Sequence, residues 1–314
     1  MINDAQLRLL MLCSIRIDGA SVDWSLIARC ALSGNLDSLC GGEIPEESQA
    51  ARRSLPVLRA GLRLDPADAE SRVQEELNLA AKVGASLVTV LDEHYPENLR
   101  GLHDLPPFLF YRGDLSSSMD QKSVAVVGTR DATDIGLARA ARMSRELGAS
   151  GYTIASGLAR GVDTAAHREA LRLGKRTIAV IGTGITRCYP KENVGLAEEV
   201  AQNGALISQF WPSRSPGRDT FPRRNHVTSG ISKASVVIEA SRTSGAKMQA
   251  RVASEQGKYV LLLRSLVDEQ EWARKMVDSG KAHVITSTDQ AIGIIEQPVR
   301  DKTENQPGQL SFDV

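Results

Sequence analysis

Two strand–turn–helix units lie within residues 123–167, and they constrain the fold more than any other stretch of the chain. An apolar run over residues 124–127 ends at Gly128, and a second over residues 152–155 ends just before the turn that holds Gly157. Each run is followed by a turn of small residues and then by a helical pattern. Because repeated units of this kind build parallel α/β sheets, the stretch predicts such a sheet. Ligands of parallel sheets bind where the strands end, which is where these turns lie.

Both turns carry glycine with arginine close behind it. The residues are Gly128, Thr129 and Arg130 in the first turn and Ser156, Gly157, Arg160 and Gly161 in the second. Glycine lets backbone amides approach a phosphate closely, and the start of a helix favours an anion. Arginine adds a charged guanidinium group that can donate two parallel hydrogen bonds. The pattern therefore predicts a phosphate-binding surface. The alternative for Gly157 and Gly161 is that they only permit tight strand-to-helix packing.

The alternation of strands and helices continues to about residue 285. Further strands are predicted over residues 177–181, 205–208, 235–239, 259–263 and 283–286. Helices are predicted over residues 136–148, 162–173, 193–202, 245–257 and 269–279. We therefore expect an extended Rossmann-like domain over residues 84–297, built on a doubly wound, mostly parallel α/β sheet.

Three further segments complete the chain. Residues 1–83 carry short helical patterns punctuated by glycine, which predict a small N-terminal all-helical accessory domain. Residues 84–122 hold two short predicted strands, 86–91 and 108–111, and form a lead-in expected to pack on the edge of the sheet. Residues 298–314 are polar with two prolines, which predicts a disordered tail.

The composition is typical of a soluble globular protein, with 42% hydrophobic and 24% charged residues among 314. No apolar run approaches the roughly 20 residues that a membrane helix needs. The apolar N-terminus is interrupted by Arg8, Arg16 and Asp18, so we expect no signal peptide and a cytoplasmic protein. The four cysteines lack CxxC spacing, which indicates reduced thiols without a metal site, and no motif indicates a cofactor.

A net charge of zero argues against a uniformly basic nucleic-acid-binding protein, but local clusters decide binding. One cluster exists, because four arginines fall within eleven residues: Arg214, Arg218, Arg223 and Arg224. Aromatic residues lie near cations at Tyr189 with Lys191, at Phe210 with Trp211, and at Phe221. Such rings suit single-stranded DNA, whose bases stack on them while arginines hold the backbone. Phe210 and Trp211 would equally well close the core at a strand end.

Five turns are expected to meet at one edge of the sheet. They cover residues 128–130, 156–163, 182–184, 222–225 and 241–245, the third holding Gly182 and Gly184 and the last Ser244 and Gly245. Four arginines lie among these turns, namely Arg130, Arg160, Arg223 and Arg224. Any one glycine-rich turn occurs in many α/β folds, so the prediction rests on their number.

Asp163 and His167 are four residues apart and therefore share a helix face. They could form an acid–base pair, or Asp163 could favour the positive helix start while His167 hydrogen-bonds within the site. The second interpretation is favoured because no nucleophile or metal partner is evident. The sequence also lacks G-x-S-x-G, H-E-x-x-H and Walker A motifs, so we expect a protein that is not an enzyme.

Four motifs in order, VAVVGTR, SGLARGVDTAAH, IGTG followed by YPKEN, and FPRRN, resemble the DNA-processing family called DprA or Smf. The resemblance covers about residues 84–257. It implies a Rossmann fold that binds and protects single-stranded DNA without sequence preference, forms homodimers, and loads the RecA recombinase in natural transformation. Matched residue by residue, it implies a DNA pocket of Gly128, Arg130, Ser156, Gly157, Arg160, Gly161, Asp163, His167, Lys191, Asn193, Phe221, Arg223, Arg224 and Asn225.

The C-terminal part of the domain, through which the family dimerises and meets RecA, departs from the family pattern. His226 stands where the family usually has a further arginine, and residues 244–250 read SGAKMQA in place of SGSLITA. Leu263 leads into Arg264-Ser265 in place of Pro-Gly. The resemblance therefore supports the DNA pocket more strongly than the RecA partnership. The alternative is a DprA-like antitoxin that binds a toxin partner in an antiphage or mobile-element system.

A second alternative belongs to a different class of function. The fold is similar to the phosphoribohydrolases of the lysine-decarboxylase-like group, which would make the chain a nucleotide-binding sensor or enzyme. That group carries a PGGxGTxxE signature, whereas the corresponding strand here reads VVIEASRTSGA, which argues against hydrolysis.

A last motif lies in the tail. Residues Gln309-Leu310-Ser311-Phe312 resemble the short peptides that bind the bacterial sliding clamp. A disordered tail can present such a peptide by ordering on binding, so the clamp is a further partner hypothesis.

Overall fold

The computed structural model describes residues 2–115, 117–241 and 244–297. Its helices are α1 (Asp4–Ser14), α2 (Trp24–Leu32), α3 (Leu36–Cys40), α4 (Gln49–Gly61), α5 (Pro66–Lys82), α6 (Glu97–Arg100), α7 (Ser117–Asp120), α8 (Asp134–Ala149), α9 (Val162–Arg172), α10 (Val194–Asn203), α11 (Thr220–Gly230), α12 (Gly245–Glu255), α13 (Arg264–Glu269), α14 (Glu271–Asp278) and α15 (Thr288–Ile295). Its strands are β1 (Arg16–Ile17), β2 (Ala20–Ser21), β3 (Ser86–Thr89), β4 (Phe108–Gly113), β5 (Ser123–Val127), β6 (Thr153–Ser156), β7 (Thr177–Val180), β8 (Ala205–Ser208), β9 (Ala234–Val237), β10 (Tyr259–Leu263) and β11 (His283–Ile285). A short 3₁₀ helix covers Lys191–Asn193.

The main sheet of the described residues has the strand order β11-β10-β9-β5-β6-β7-β8-β4-β3. Every neighbouring pair from β11 to β8 is parallel, whereas β4 and β3 continue the sheet antiparallel beyond β8. The predicted doubly wound, mostly parallel sheet is therefore confirmed. Strands β6, β7 and β8 follow β5 in one direction, and β9, β10 and β11 lie on its other side. The strand order thus reverses between β5 and β9, and the crevice at such a reversal is the usual ligand site.

The central strands are apolar throughout because helices cover both faces of the sheet. In β5, Val124 and Val126 pack in one cluster with residues of α8 and α9, such as Ala140 and Ala166. The intervening Ala125 and Val127 point to the opposite face, since side chains alternate along a strand. Val124, Ala125 and Val126 are fully buried, so β5 is packed on both faces of the sheet and the position of its carboxyl end is fixed.

Aromatic packing joins the N-terminal helices to the sheet. The ring centre of Trp24 in α2 lies 5.0 Å from that of Phe108 in β4, and Phe108 lies 4.8 Å from Trp211. Phe210 is only 2% exposed. Phe210 and Trp211 therefore belong to the core, as the second interpretation of these residues predicts. The N-terminal part is helical apart from the small hairpin of β1 and β2.

One predicted element is wrong. Residues 222–225 do not form a turn but lie in α11, whose first residue is Thr220. Pro222 suggested a break, yet proline is tolerated in the first turn of a helix, where its missing N–H would have no helical partner. The structure also contains two helices that the sequence analysis does not predict, α13 and α15.

The described helices all fall short of the length and apolarity that crossing a membrane requires. The predicted tail, including Gln309-Leu310-Ser311-Phe312, lies outside the described residues.

Candidate nucleic-acid interface

Two adjoining cavities open at the carboxyl edge of the sheet, where β5, β6 and β9 end. The first has a volume of ≈ 230 Å³ and the second of ≈ 380 Å³. Both are lined by Arg130, Ala159, Phe221 and Arg224, so they form one continuous surface, which we call the cleft. The second cavity lies at the reversal of strand order, between the end of β5 and the turn after β9.

The structure brings most of the predicted site residues together in this cleft. Those that line it are Gly128, Thr129, Arg130, Gly157, Arg160, Asp163, Lys191, Phe221, Arg224, Asn225, Ser244 and Gly245. Those that line neither cavity are Ser156, Gly161, His167, Gly182, Gly184, Asn193 and Arg223. Tyr189, considered in the sequence for its ring, also lines the first cavity.

Arg224 forms the floor of the cleft. Its side chain is 9% exposed, and Nη1 donates a hydrogen bond of 3.3 Å to the carbonyl of Val180 and lies 3.9 Å from a carboxylate oxygen of Asp163. The guanidinium group lies where a Cβ atom of residue 157 would stand, so only glycine fits beside it. Burial lowers the pKa of Arg224, with the Asp163 carboxylate opposing that effect. The buried Nε has no hydrogen-bond acceptor among the described residues.

Asp163 organises the loop that follows β6. Its carboxylate accepts hydrogen bonds from the backbone N–H groups of Gly157 at 3.1 Å and Ala159 at 3.3 Å. Burial raises the pKa of Asp163, and the Arg224 guanidinium opposes the rise. Asn193 supports the same loop, because its Nδ2 donates to the carbonyl of Leu158 at 2.9 Å. Both residues act by shaping the loop.

Two glycines have a steric role that the sequence could not assign. Gly161 has a φ of 72°, and a Cβ atom there would overlap the carbonyl oxygens of Thr129 and Arg130. The loops after β5 and β6 are therefore in backbone contact. Gly182 lies against the Phe221 ring, where an added Cβ would approach to 2.8 Å. These glycines position the lining residues of the cleft.

His167 lies beneath the cleft and is fully buried. Its Nδ1 is 2.7 Å from the hydroxyl oxygen of Thr177, and its Nε2 has no partner among the described residues. Burial, assisted by Arg224, lowers the pKa of His167 to about 3. The imidazole is thus neutral at ordinary pH. With Asp163 bound to loop amides, this geometry favours the internal hydrogen-bonding interpretation over an acid–base pair.

Lowering the pH is expected to destabilise the protein through His167. Between the ordinary pKa of 6.5 and about 3, the unfolded chain binds a proton that the folded chain does not. The contribution to stability is therefore complete above pH 6.5 and is lost as the pH falls. From pH 7 to pH 5 the native protein should lose about 2 kcal/mol more unfolding free energy than His167→Gln, measured by urea titration. Equal losses in the two proteins would contradict this assignment.

The rim of the cleft combines exposed cations with stacked rings. The guanidinium carbon of Arg130 lies 5.3 Å from the ring centre of Phe221, and Tyr189 lies 5.6 Å from the same ring. Arg160 pairs with Glu192 at 3.6 Å, with both side chains 58% exposed, so this pair contributes little stability. Arg130 and Lys191 form no ion pair with any described residue. Their charges are therefore available to an anion.

A helix start contributes to the second cavity. Ser244 caps α12, its hydroxyl oxygen accepting the N–H of Ala246 at 3.0 Å, and Gly245 begins the helix. The positive end of a helix favours an anion. Sequence analysis missed two neighbouring residues of the lining, Thr228 and Gln249. Helical spacing would have found them, since they lie three and four residues after Asn225 and Gly245.

Arg223 lies outside the cleft. Its guanidinium carbon is 4.9 Å from the ring centre of Trp24 and 5.2 Å from that of Phe210, at the junction with the N-terminal helices. Successive residues of an α-helix point about 100° apart. Because 223 and 224 are adjacent in α11, the two arginines face different surroundings, which a turn would not have required.

Fold and cleft together define a Rossmann-like protein with an arginine-lined cleft at the strand-order reversal. Comparison with known families assigns the chain to one of them. The family described as DNA recombination-mediator protein A matches residues 86–296, and the chain belongs to this family.

Among curated relatives, the chain is 38% identical over 221 residues to Protein Smf of Synechocystis, covering 68% of this chain and 55% of that protein. It is 33% identical over 177 residues to DNA processing protein DprA of Bacillus subtilis, covering 56% of this chain and 60% of the relative. The chain thus spans somewhat more than half the length of these relatives.

Two solved structures are similar in fold. DNA processing protein A of Streptococcus pneumoniae aligns with a TM-score of 0.73 and 26% identity, covering 93% of this chain and 98% of the other. DNA processing protein A of Helicobacter pylori, whose structure concerns its single-stranded DNA binding mode, aligns with a TM-score of 0.59 and 27% identity. That alignment covers 67% of this chain and 95% of the other.

Proposed function

We propose that this protein binds single-stranded DNA in the cleft without sequence preference. The observation that carries the proposal is the convergence of Arg130, Arg160 and Arg224 on one cavity that also exposes the rings of Tyr189 and Phe221. Guanidinium groups hold phosphates, and rings stack any base. The Helicobacter pylori relative, which is described by its single-stranded DNA binding mode, supports the same ligand.

The cleft presents two kinds of surface that suit a single strand of DNA, namely guanidinium groups and an aromatic ring. Arg224 is held in place at the floor, so it loses little conformational freedom when it meets a phosphate. Arg130 lies over Phe221 and presents charge and ring together. None of these contacts reads the hydrogen-bonding edge of a base, which is why the proposed binding is independent of sequence.

Replacing Arg130 with alanine is expected to weaken binding of an oligothymidylate about 10-fold, since one charge-assisted contact is lost. The slope of log affinity against log salt should also become shallower by about 0.7, the value for one phosphate of a single strand. Fluorescence anisotropy over a series of salt concentrations measures both. Arg172→Ala is the matched control, because Arg172 is exposed and paired with Glu169 away from the cleft. Binding by Arg130→Ala equal to that of the control would refute the proposal.

Replacing Phe221 with alanine tests the stacking surface separately. Affinity should again fall about 10-fold, the loss of roughly one stacked base, while the salt slope stays unchanged. Phe221→Trp is expected to keep most of the affinity because a larger ring still stacks. If Phe221→Ala instead made the slope as shallow as in Arg130→Ala, the ring would serve only to position Arg130.

The family's role extends the proposal from binding to recombination. We propose that the protein forms a homodimer, protects single-stranded DNA and loads RecA on it, as the resemblance implies. Pull-down from host extract with the native protein tests the partner, and recovery of a toxin in place of RecA would favour the antitoxin alternative. Neither that alternative nor nucleotide hydrolysis gains a specific contact from the described residues. We propose no catalytic role, because Asp163 and His167 are both engaged within the fold.

A further inference from the structure

A third cavity lies on the same edge of the sheet as the cleft, beyond β9. It has a volume of ≈ 350 Å³ and opens where β10 and β11 end, at Leu263 and Ile285. Its lining comes from these strand ends, from α8, from α13 and from residues 286–288. Because β9, β10 and β11 are parallel neighbours, their carboxyl ends all face the side on which the cleft opens.

The third cavity carries an excess of positive charge. Arg139, Arg142 and Arg264 line it, opposed by a single lining carboxylate, Asp268. Arg142 is engaged by Glu146 at 2.8 Å. Arg139 and Arg264 are exposed and have no carboxylate partner among the described residues. In a chain whose net charge is zero, two guanidinium groups without a carboxylate partner in one concave site suit an anion.

Arg139 is held in the direction of the cavity. It donates a hydrogen bond of 2.8 Å from Nη1 to the hydroxyl oxygen of Ser265, immediately after Arg264. This contact ties α8 to the start of α13, and Arg139 and Arg264 both line the cavity. An arginine side chain whose orientation is already fixed loses less conformational freedom on binding than a freely moving one.

The start of α8 connects the third cavity with the cleft. Asp131, just before α8, lines the second cavity, and Gly136 in its first turn lies against the carboxylate of Glu239, which follows β9. Arg139 lies about 5 Å further along the helix axis. The Glu239 carboxylate accepts the N–H and the hydroxyl hydrogen of Thr133 at 3.2 and 3.0 Å. The positive helix start offsets the charge of Glu239. The exposed carboxylates of Asp131 and Asp134 add negative charge to the same stretch, so the proposed phosphate contacts lie in the two cavities and not between them.

We propose that the third cavity is a second phosphate-binding subsite, which extends the track of the same single DNA strand from the cleft across the ends of β9, β10 and β11. This inference rests on the proposed function of the cleft. It predicts that a long strand gains contacts that a short strand cannot make, through Arg139 and Arg264.

The test compares the full chain with Arg139→Ala/Arg264→Ala and with a control of equal charge change, Arg145→Ala/Arg251→Ala. Arg145 and Arg251 pair with Glu169 and Glu255 and do not line the third cavity. Affinity is measured by anisotropy for oligothymidylates of about 5 and about 20 nucleotides, which bracket common single-strand site sizes. Thermal unfolding and gel filtration accompany each variant.

The Arg139→Ala/Arg264→Ala variant is expected to bind the short oligothymidylate as tightly as the native protein does. Its affinity for the long oligothymidylate should fall by about 10-fold or more. Its salt slope on the long strand should be shallower by about 1.4, for two phosphates. Long-strand binding equal to that of the control would overturn the subsite while leaving the cleft intact. The proposal would also be overturned if the variant changed its oligomeric state and lost affinity for both oligothymidylates equally, because the arginines would then contribute to contact between copies of the chain. Failure of the native protein to bind either strand would refute the proposed function itself.

Discussion

Arg224→Ala is expected to weaken binding of single-stranded DNA about 100-fold and to lower the free energy of unfolding by about 3 kcal/mol. Binding falls because the floor of the cleft loses its guanidinium group. Stability falls because Asp163 is left buried without the positive charge that lies 3.9 Å away in the native protein. Anisotropy and urea titration measure the two effects. The loss of unfolding free energy relative to the native protein should be smaller at acidic pH than at neutral pH, because protonation then neutralises the buried Asp163 carboxylate.

A compensated variant separates these two consequences. Arg224→Met/Asp163→Asn removes both charges while the amide oxygen at 163 can still accept the N–H groups of Gly157 and Ala159. Replacing both members of a buried pair costs far less than removing one, so most of the stability should return. DNA binding should not return. If the compensated variant regained binding, Arg224 would act only through folding, and its role at the floor of the cleft would be wrong.

Gly161→Ala is expected to cost about 3 kcal/mol of unfolding free energy and to abolish tight binding of DNA. One part of the cost is the backbone, whose φ of 72° disfavours a side chain. The larger part is overlap of the new methyl group with the carbonyl oxygens of Thr129 and Arg130, which forces the loops after β5 and β6 apart. Arg130 then moves away from the rest of the cleft. Urea titration and anisotropy report the two losses.

Gly174→Ala provides the matched control for this prediction. Gly174 has a φ of 61°, and nothing lies within 4 Å of the position that a Cβ atom would take. The control should therefore show only the conformational cost, about 1 kcal/mol, with binding unchanged. If both substitutions cost the same, contact between the loops would not be what Gly161 provides.

The glycine-rich turns illustrate how far local sequence could lead. The alternation of apolar runs with helical patterns predicted the succession of strands and helices along the chain, because each element has its own period and its own stop signal, and it predicted that the strands are mostly parallel. When the strands are parallel, the turns that follow their carboxyl ends all lie on the same edge of the sheet. The sequence therefore predicts that Arg130, Arg160 and Gly245 lie near one another.

The arginine pair of α11 shows where such an argument ends. The sequence places Arg223 and Arg224 side by side, and as part of a turn both were expected at the cleft. In the helix they diverge: Arg224 lies against Gly157, and Arg223 lies over Trp24. Only the packing of α11 between the sheet and the N-terminal helices decides which arginine faces which surface.

The chain's own sequence determined the class of fold, the family motifs and the set of loops that can carry phosphate-binding groups. These follow from periodicity and from residue types that act over a few neighbouring positions. The tertiary structure alone decided which side chains line the cleft, which support it from below, and that a second arginine-lined cavity shares its edge. Those outcomes depend on contacts between segments far apart in the chain, such as Arg224 with Asp163 and Arg139 with Ser265, and no local pattern encodes them.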